Sequence, residues 1–293
     1  MNLSSKVGEY LASIIIPVYR DWDDAAALLL ELRGQARPDC QVILVDNDPD
    51  RENVPNDLPD PEMHCQIVPC TAPGSYAARN AGAQKAAGEL LIFTDADCRP
   101  QPGWLDAHLN VERHEPVLSA GPVIVEPGPE LNNWAIFDTV RGMRQEVFVR
   151  HGYAVTANLA VPRSVFEHLD GFDAKRLSGG DAEFCRRAVR AGFPLTLESS
   201  AVVLHPARNS WMGLATKARR IKGGQVTSGS AARRIVWFLR SLTPPVREML
   251  AYVTSSYPFR WRLIACCVRL RLWFVEIKEV MNLLLFQKTV ERR

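Results

Sequence analysis

A short apolar segment that ends in two carboxylates restricts the fold of this chain more than any other feature. Residues 90–93 are apolar, Thr94 is β-branched, and Asp95 and Asp97 follow one residue apart. Such a run predicts a buried strand, and open α/β sheets bind their ligands beyond the carboxyl ends of their strands. We therefore expect a ligand-binding edge at these two residues.

The pair formed by Asp95 and Asp97 has two interpretations. In an extended chain, residues i and i+2 point the same way. Paired carboxylates suit a divalent ion such as Mg²⁺ or Mn²⁺, especially one shared with phosphate. Alternatively, the pair caps a helix predicted from Pro102, because Asp is favoured at helix N-termini. The segment alone leaves both hypotheses open.

Strands and helices are predicted to alternate along the first two-thirds of the chain. The predicted strands cover residues 12–19, 41–45, 66–68, 89–94, 117–125 (interrupted by Gly121 and Pro122), 153–161 and 195–204. The predicted helices cover residues 25–32, 73–88, 102–114 and 131–150, with shorter ones after Pro162 and Gly180. Near-continuous apolar strands in this alternation indicate a mostly parallel sheet with helices on both faces.

Charge divides the chain into two regions. Residues 1–204 hold 18 Lys and Arg against 29 Asp and Glu, whereas residues 205–293 hold 17 against 4. With 47% hydrophobic and 23% charged residues, the chain is neither disordered nor fibrous. A basic C-terminal region indicates an anionic partner, either lipid head groups or nucleic acid.

The C-terminal region is predicted to be helical over residues 210–222, 233–242 and 258–288. In the predicted helix over 258–288, the longest uncharged run, Val280–Gln287, has eight residues, far short of the roughly 20 that a spanning helix needs. Trp and Phe side chains interleaved with Arg are typical of an amphipathic segment on an anionic membrane surface. The alternative is a helical appendage that packs on the catalytic domain or on a second subunit. We expect no nucleic-acid partner, because no binding motif of that kind is present.

The cysteines and the N-terminal residues bear on location. Seven cysteines occur at irregular spacing without a zinc-binding pattern, which indicates reduced thiols. Residues 1–6 lack the apolar stretch of a signal peptide. We therefore expect a cytoplasmic protein that lies peripherally on the inner face of the cell membrane.

Seven short motifs, in this order, resemble the inverting family 2 glycosyltransferases of the GT-A fold, of the bacterial cell-envelope and exopolysaccharide type. The resemblance covers residues 12 to about 222. The motifs are Ile14-Ile15-Ile16-Pro17-Val18-Tyr19, Val45-Asp46-Asn47, Ala78-Arg79-Asn80-Ala81-Gly82, Thr94-Asp95-Ala96-Asp97, Gly171-Phe172-Asp173, Gly180-Asp181-Ala182-Glu183-Phe184 and His205. The resemblance implies a GT-A (Rossmann-like) α/β domain over residues 1–222, followed by a basic amphipathic helical region over residues 223–293.

The resemblance also implies a nucleotide-binding site. Pro17, Tyr19 and Asp46 would hold the base and ribose of a nucleotide-sugar. Arg79 and Asn80 would line the nucleotide pocket. By the same resemblance, Asp46 fits a contact to uracil, which makes a UDP-sugar the expected donor.

The metal site and the catalytic base follow from the same resemblance. Asp95 would lie near the ribose or the metal, and Asp97 would bind the Mn²⁺ or Mg²⁺ ion that bridges the diphosphate. His205 matches a position that completes the metal site in some members, although a lone His after a strand is as often structural. Asp181 would be the general base, although a carboxylate at a helix N-terminus can also be only a cap.

One departure from the family pattern concerns the base. The family usually has Glu-Asp where this chain has Gly180 and Asp181, so the supporting acid is missing, and Glu183 is a candidate substitute. Asn158 matches a stretch that often borders the sugar, and Arg208 could face the diphosphate.

These residues predict a metal-dependent, inverting transfer of a sugar to a hydroxyl of a glycan or lipid-linked acceptor. A non-catalytic nucleotide-sugar-binding or scaffold protein is the alternative. A sugar nucleotidyltransferase is a further one, but it normally needs a glycine-rich basic loop after the first strand, and residues 19–24 are acidic.

Overall fold

The computed structural model describes residues 8–51, 54, 55, 58, 60–111, 115–176, 178–227 and 230–285. The chain forms two compact units. The first comprises Met1–Ile124, Met143–Lys175 and Gly180–His205, and the second comprises Val125–Gly142, Arg176–Gly179 and Pro206–Arg293. The domain boundary predicted after residue 222 lies inside a helix of the second unit, Trp211–Thr227.

The first unit is built on a large sheet. The strands of the described residues are β1 (Tyr10–Val18), β2 (Cys40–Asp46), β3 (Cys65–Pro69), β4 (Gly88–Thr94), β5 (Arg99–Pro100), β6 (Leu118–Ala120), β7 (Val123–Glu126), β8 (Asn158–Pro162), β9 (Leu195–Leu197) and β10 (Val203–Pro206). Seven of them form one sheet in the order β3-β2-β1-β4-β8-β6-β9. β8 runs antiparallel to both neighbours and the other pairs are parallel, which confirms the mostly parallel sheet.

Helices of the first unit flank its sheet, and further helices form most of the second unit. Those of the described residues are α1 (Trp22–Arg33), α2 (Ser75–Lys85), α3 (Trp104–Leu109), α4 (Asn133–Arg141), α5 (Gln145–Arg150), α6 (Arg163–His168), α7 (Gly180–Arg190), α8 (Trp211–Thr227), α9 (Ala231–Leu242), α10 (Val246–Val253) and α11 (Phe259–Leu285). A short 3₁₀ helix covers Pro61–Met63.

The central strands bury both faces, as their sequences predict. Successive side chains of a strand point to opposite faces. Ile14 of β1 joins the apolar cluster that contains α1 and α3, whereas its neighbour Ile15 joins the cluster that contains α2, α6 and α7. Gly82 allows α2 to approach closely, because a Cβ there would lie 2.6 Å from Ile15 Cγ2.

Several predicted elements are divided in the structure. The helix predicted over residues 131–150 ends at Gly142, whose φ of +58° favours glycine, and α5 follows. The strand predicted over 117–125 is interrupted at Gly121 and Pro122, as expected, and the one over 195–204 separates into β9 and β10. Helix α10, after Pro244 and Pro245, was not predicted.

The second unit is helical in its core. Apolar side chains of α4, α8, α10 and α11 form one buried cluster, which includes Phe137, Leu214, Tyr252 and Leu272. Trp273 of α11 donates its indole N–H to the carbonyl of Ser241 over 2.9 Å. Among the described residues, the helices are too short or too polar to cross a membrane.

Candidate active site

The two carboxylates lie at the carboxyl end of β4, in the middle of the large sheet. They occupy a turn in which the backbone N–H of Cys98 donates to the carbonyl of Asp95 over 3.0 Å. Helix α3 begins after Gly103, so neither Asp95 nor Asp97 caps it. The capping hypothesis is therefore wrong for this pair.

Strand pairing brings His205 to the two carboxylates. β10 pairs with β5 in antiparallel register, with Leu204 opposite Arg99. The next residue of β10 therefore lies beside the turn that precedes β5. His205 Nε2 is 3.5 Å from Asp97 Oδ2.

The three side chains could converge on one ion. The candidate ligand atoms of Asp95, Asp97 and His205 all lie within 4.8 Å of one another. His205 is buried, whereas the carboxylates are 34% and 35% exposed, so an ion can approach from the carboxylate side. Two carboxylates and an imidazole are a donor set that Mn²⁺ and related divalent ions accept. These residues fit a divalent metal site.

Arg79 supplies the positive charge beside these carboxylates. It lies on α2, is buried, and donates from Nη2 to Asp95 Oδ1. A carboxylate has two oxygens, so Asp95 can be held by Arg79 through one and face an ion with the other.

Asp181 lies in the first turn of α7 and is half-buried. Tyr76 donates its hydroxyl to Asp181 Oδ1 over 3.3 Å, and the Ala182 N–H donates to the same oxygen over 2.8 Å. Burial raises the pKa of Asp181, although the Ala182 N–H, Arg79 and Tyr76 all favour the charged form. A carboxylate with a raised pKa is suited to accept a proton near neutral pH.

Steric crowding explains why residue 180, beside Asp181, is a glycine rather than an acid. A Cβ at Gly180 would lie 2.7 Å from the ring of Tyr76, so the ring occupies the space that a side chain at residue 180 would need. The candidate substitute, Glu183, forms an ion pair with Arg187 at 2.9 Å. Tyr76 is therefore the neighbour that contacts Asp181, and the sequence pattern did not predict it.

The ends of β1 and β2 carry the residues expected to hold the nucleoside. Pro17 and Tyr19 are half-buried. Asp46 is fully buried, and its oxygens accept from the Asp48 N–H and from Arg51 Nε, each over 3.1 Å. A nucleobase that contacts Asp46 must therefore displace or accompany the half-exposed Arg51.

Asn80 and Asn47 hold the backbone around this edge. Asn80 donates to the carbonyl of Phe172 over 2.8 Å and accepts from its N–H over 3.0 Å, so its amide is used by the chain itself. Asn47, a residue that the sequence analysis did not single out as a site residue, accepts from the Gly74 N–H and donates to the carbonyls of Cys70 and Ala72. It ties the end of β2 to the start of α2.

The structure does not support Asn158 as a sugar contact. Asn158 has no exposed surface. Its side-chain oxygen accepts from Trp104 and, at 2.9 Å, faces His108 Nε2, while its nitrogen donates to the carbonyls of Pro122 and Ala201. All of its hydrogen-bonding groups are used inside the first unit, so it holds the core together.

Arg208 also differs from expectation. It belongs to the second unit, where its backbone N–H and its Nη1 donate to Asp138 Oδ2 over 3.1 and 3.3 Å. The predicted role at a diphosphate would have to compete with this ion pair.

Comparison with known proteins identifies the family. The model of glycosyl transferase family 2 matches residues 13–169, more than half of the chain. The chain belongs to glycosyl transferase family 2. The match spans β1, the Asp95–Asp97 turn and β8. It ends before Asp181 and His205, whose roles therefore rest on the geometry described above.

Curated relatives of this family 2 member are glycosyltransferases. Glycosyltransferase AglE of Haloferax volcanii is 28% identical over 281 residues, which cover 88% of this chain and 92% of the relative. The pre-mycofactocin glycosyltransferase of Mycobacterium tuberculosis strain CDC 1551 is 29% identical over 208 residues, 67% of this chain but only 43% of the relative. The protein is thus a glycosyltransferase, in agreement with the sequence analysis.

Solved structures show the same GT-A fold. The mannosyltransferase PcManGT from Pyrobaculum calidifontis, in complex with GDP-Man and Mn²⁺, has a TM-score of 0.59 at 15% identity, over 96% of this chain and 90% of that one. The TarS fragment from S. aureus with UDP-GlcNAc has a TM-score of 0.51 at 14% identity, over 94% and 75%. At these identities the likeness concerns the fold, which confirms the expected class.

Proposed function

We propose that this glycosyltransferase moves a sugar from a nucleoside diphosphate sugar to a hydroxyl group, with a divalent metal and with inversion at the anomeric carbon. The observation that carries the proposal is the convergence of Asp95, Asp97 and His205 at the carboxyl end of β4. Open α/β sheets bind their ligands at this place.

The donor is proposed to be a UDP-sugar, held across the ends of β1, β2 and β4. The two solved neighbours are complexes with GDP-Man and with UDP-GlcNAc, which supports a nucleoside diphosphate sugar as donor. Because their bases differ, the base has to be argued from the residues of this chain. Asp46 is the residue through which we expect the base to be recognised, with Pro17 and Tyr19 beside it. Arg79, buried next to Asp95, adds positive charge near the phosphates.

The metal is proposed to be Mn²⁺ or Mg²⁺, held by Asp97 and His205 with one oxygen of Asp95. Such an ion supplies Lewis-acid stabilisation of the negative charge that develops on the leaving diphosphate. The chain itself holds Asp95 in place through Arg79 and buries His205. Both constraints reduce the entropy lost when the ligands are brought together.

Asp181 is proposed as the general base. The acceptor oxygen attacks the anomeric carbon, its proton moves to the Asp181 carboxylate, and the bond between that carbon and the β-phosphate oxygen breaks. Attack opposite the leaving group gives inversion. General-base catalysis typically contributes about 10²- to 10⁴-fold in rate. The hydroxyl of Tyr76 orients the carboxylate from the buried side.

The acceptor is proposed to be lipid-linked, because the second unit exposes apolar side chains in stripes. In α9 and α10 the exposed positions follow helical spacing, and they are Ile235, Val236, Leu239, Leu242, Val246, Leu250 and Val253. Exposed Arg234, Arg240 and Arg247 lie on the same two helices. Apolar stripes beside arginines suit the interface of an anionic membrane, which supports a peripheral position on the inner membrane face.

The proposal is tested by nucleotide binding and release. Thermal shift and calorimetry with UDP, GDP and dTDP, each with Mn²⁺ and with EDTA, should give stabilisation by UDP only when metal is present, since ligand binding to the folded state raises its stability. Release of UDP from a UDP-sugar panel should then require metal and a membrane lipid extract. Equal stabilisation by all nucleotides in EDTA would contradict the metal site.

A further inference from the structure

The second unit contains a cavity that the proposed reaction does not use. Its volume is about 320 Å³, within the range of about 300–1,000 Å³ that is usual for small-molecule sites. One face of α8 forms a wall, and side chains of α4, α9, α10 and α11 complete it. The charged lining residues are Arg141, Lys217, Lys222, Glu248, Arg269 and Glu276.

The two acids of the cavity are already neutralised. Arg269 Nε lies 2.7 Å from Glu248, and Arg269 Nη1 lies 3.3 Å from Glu276. Lys222 adds a second contact to Glu276 at 3.4 Å. These four residues balance one another, so the charge that remains in the lining belongs to Arg141 and Lys217.

Among the described residues, more positive than negative charge surrounds Lys217 and Arg141. The carboxylate that the structure describes beside them is Asp138, which lies 3.5 Å from Arg141 and 3.3 Å from Arg208. Burial lowers the pKa of Lys217 well below its usual range, and the neighbouring Arg208, Arg141 and Arg220 lower it further. An anion bound beside Lys217 would offset this repulsion and would favour its charged form.

Apart from Gln225, the rest of the lining is apolar. It includes Phe137 and Leu214, both buried in the unit's core, and Trp237 of α9. A cavity with cations on one part and aromatic and aliphatic side chains on the other is complementary to an amphiphile with an anionic head. Arg and Lys bind phosphate oxygens through charge-assisted hydrogen bonds.

We propose that this cavity binds a phosphate monoester or diphosphate carried on an apolar chain, with Arg141 and Lys217 contacting the phosphate and with Phe137, Leu214 and Trp237 contacting the chain. Its ligand is thus a phosphorylated lipid rather than free phosphate. The site lies within the second unit and does not depend on the metal centre or on the transfer reaction.

Calorimetry with the full-length protein tests the site. Decyl phosphate, inorganic phosphate and decanol are titrated in EDTA, so that no metal at the Asp95 and Asp97 carboxylates can bind phosphate. Decyl phosphate should bind at least about 10-fold more tightly than either of the others, because only it contacts both parts of the lining. Equal binding of decanol would overturn the role of the cations, and equal binding of inorganic phosphate would overturn the role of the apolar wall.

Matched variants locate the binding. Lys217→Gln should weaken decyl phosphate about 10- to 100-fold, the loss of one charge-assisted contact. Lys278→Gln, the same change on α11 outside the lining, should leave the affinity within about 2-fold. Removing a buried cation from among other cations should not lower the melting temperature. If it does, Arg141→Gln is the second variant. Unchanged affinity in both cavity variants would overturn the proposal.

Discussion

Both units of this glycosyltransferase contain clusters of partly buried charged side chains. Carboxylates predominate in the cluster of the first unit, and cations predominate in that of the second. In the first unit the buried cation Arg79 lies beside Asp95 and Asp181, and Asp97 lies 3.5 Å from His205. In the second unit three basic side chains, Lys217, Arg208 and Arg141, surround the carboxylate of Asp138. Unbalanced charge away from water is unfavourable for folding. The difference accords with the two proposals, a metal cation in the first unit and a phosphorylated ligand in the second.

The two units also differ in where they place apolar side chains. The first buries its strands on both faces, so that β2 has no exposed residue. The second leaves large apolar side chains of α9 and α10 in solvent. An exposed patch of this kind usually marks an interaction surface. The first unit thus buries the strands that carry the candidate site, whereas the second exposes the apolar side chains on which the proposed membrane contact depends.

Removal of Asp97 should have the largest effect on sugar transfer among the changes considered. Asp97→Ala takes away a ligand of the proposed metal site, and the loss of Lewis-acid stabilisation is worth several kcal/mol. We expect transfer to fall by about 10³-fold or more, and stabilisation by UDP with Mn²⁺ to vanish in a thermal shift. Asp106→Ala, which removes an exposed carboxylate of the same unit, should retain both. Wild-type turnover of Asp97→Ala would contradict the site.

Replacement of Asp181 should separate chemistry from binding. Asp181→Asn should lower kcat about 10²- to 10⁴-fold while UDP still binds with Mn²⁺. Because burial raises the pKa of Asp181 in the folded protein, its charged form is disfavoured there, and its contribution to stability is lost as the pH rises through that pKa. The Asn variant should therefore unfold at a higher temperature than the wild type at pH 7. A normal kcat would show that another group is the base.

The sequence predicts the position of those site residues that directly follow a buried strand. Asp95 and Asp97 follow a strand whose burial its composition reveals, and so their place at the sheet edge could be predicted. The resemblance pointed to His205, but only the register of β10 on β5 brings it beside Asp97. Nothing local fixes that register.

Side-chain partners were harder to predict than positions. Asn158 was expected at the sugar, yet it is buried because Trp104, His108 and two carbonyls surround it, and these come from distant segments. Tyr76 lies 105 residues from Asp181 in the chain, and no periodicity connects them. The sequence showed Gly180 as a missing acid, whereas the structure shows it as space for the Tyr76 ring.

The exposed stripes of the second unit can be tested on vesicles. Leu250 is 58% exposed on α10, and burial of a leucine in an apolar phase is worth about 1.5–3 kcal/mol. Leu250→Ser should therefore reduce partitioning onto vesicles that contain anionic lipid by about 10-fold. Because the side chain is in solvent, the free energy of unfolding should change by no more than about 0.5 kcal/mol.

The control for this change lies in the first unit. Leu30 of α1 is 70% exposed but belongs to the first unit, whereas the stripes of α9 and α10 belong to the second. Leu30→Ser should leave sedimentation with vesicles unchanged. If both variants lost binding equally, the difference between the units would not lie in their apolar surfaces.

The smallest expected effect concerns the hydroxyl of Tyr76 in the first unit. This hydroxyl favours the charged form of Asp181, against burial, which raises its pKa. Tyr76→Phe removes the donor and keeps the ring beside Gly180, so the pKa of Asp181 should rise further. The base must be unprotonated to act, and thus the acidic limb of the kcat profile should move to higher pH, with a loss of about 3- to 10-fold below neutral pH.

The pH profile separates this role from a merely structural one. Above the shifted pKa the Phe variant should recover most of its kcat, because the carboxylate is again charged, whereas a misplaced α7 would lower kcat at every pH. Tyr10→Phe removes the hydroxyl of another tyrosine of the same unit, whose ring packs against His64, and should leave the profile in place. If the acidic limb of the kcat profile did not shift in Tyr76→Phe, the hydroxyl would have no effect on the pKa of Asp181. The ring of Tyr76 would then serve only to pack against Gly180.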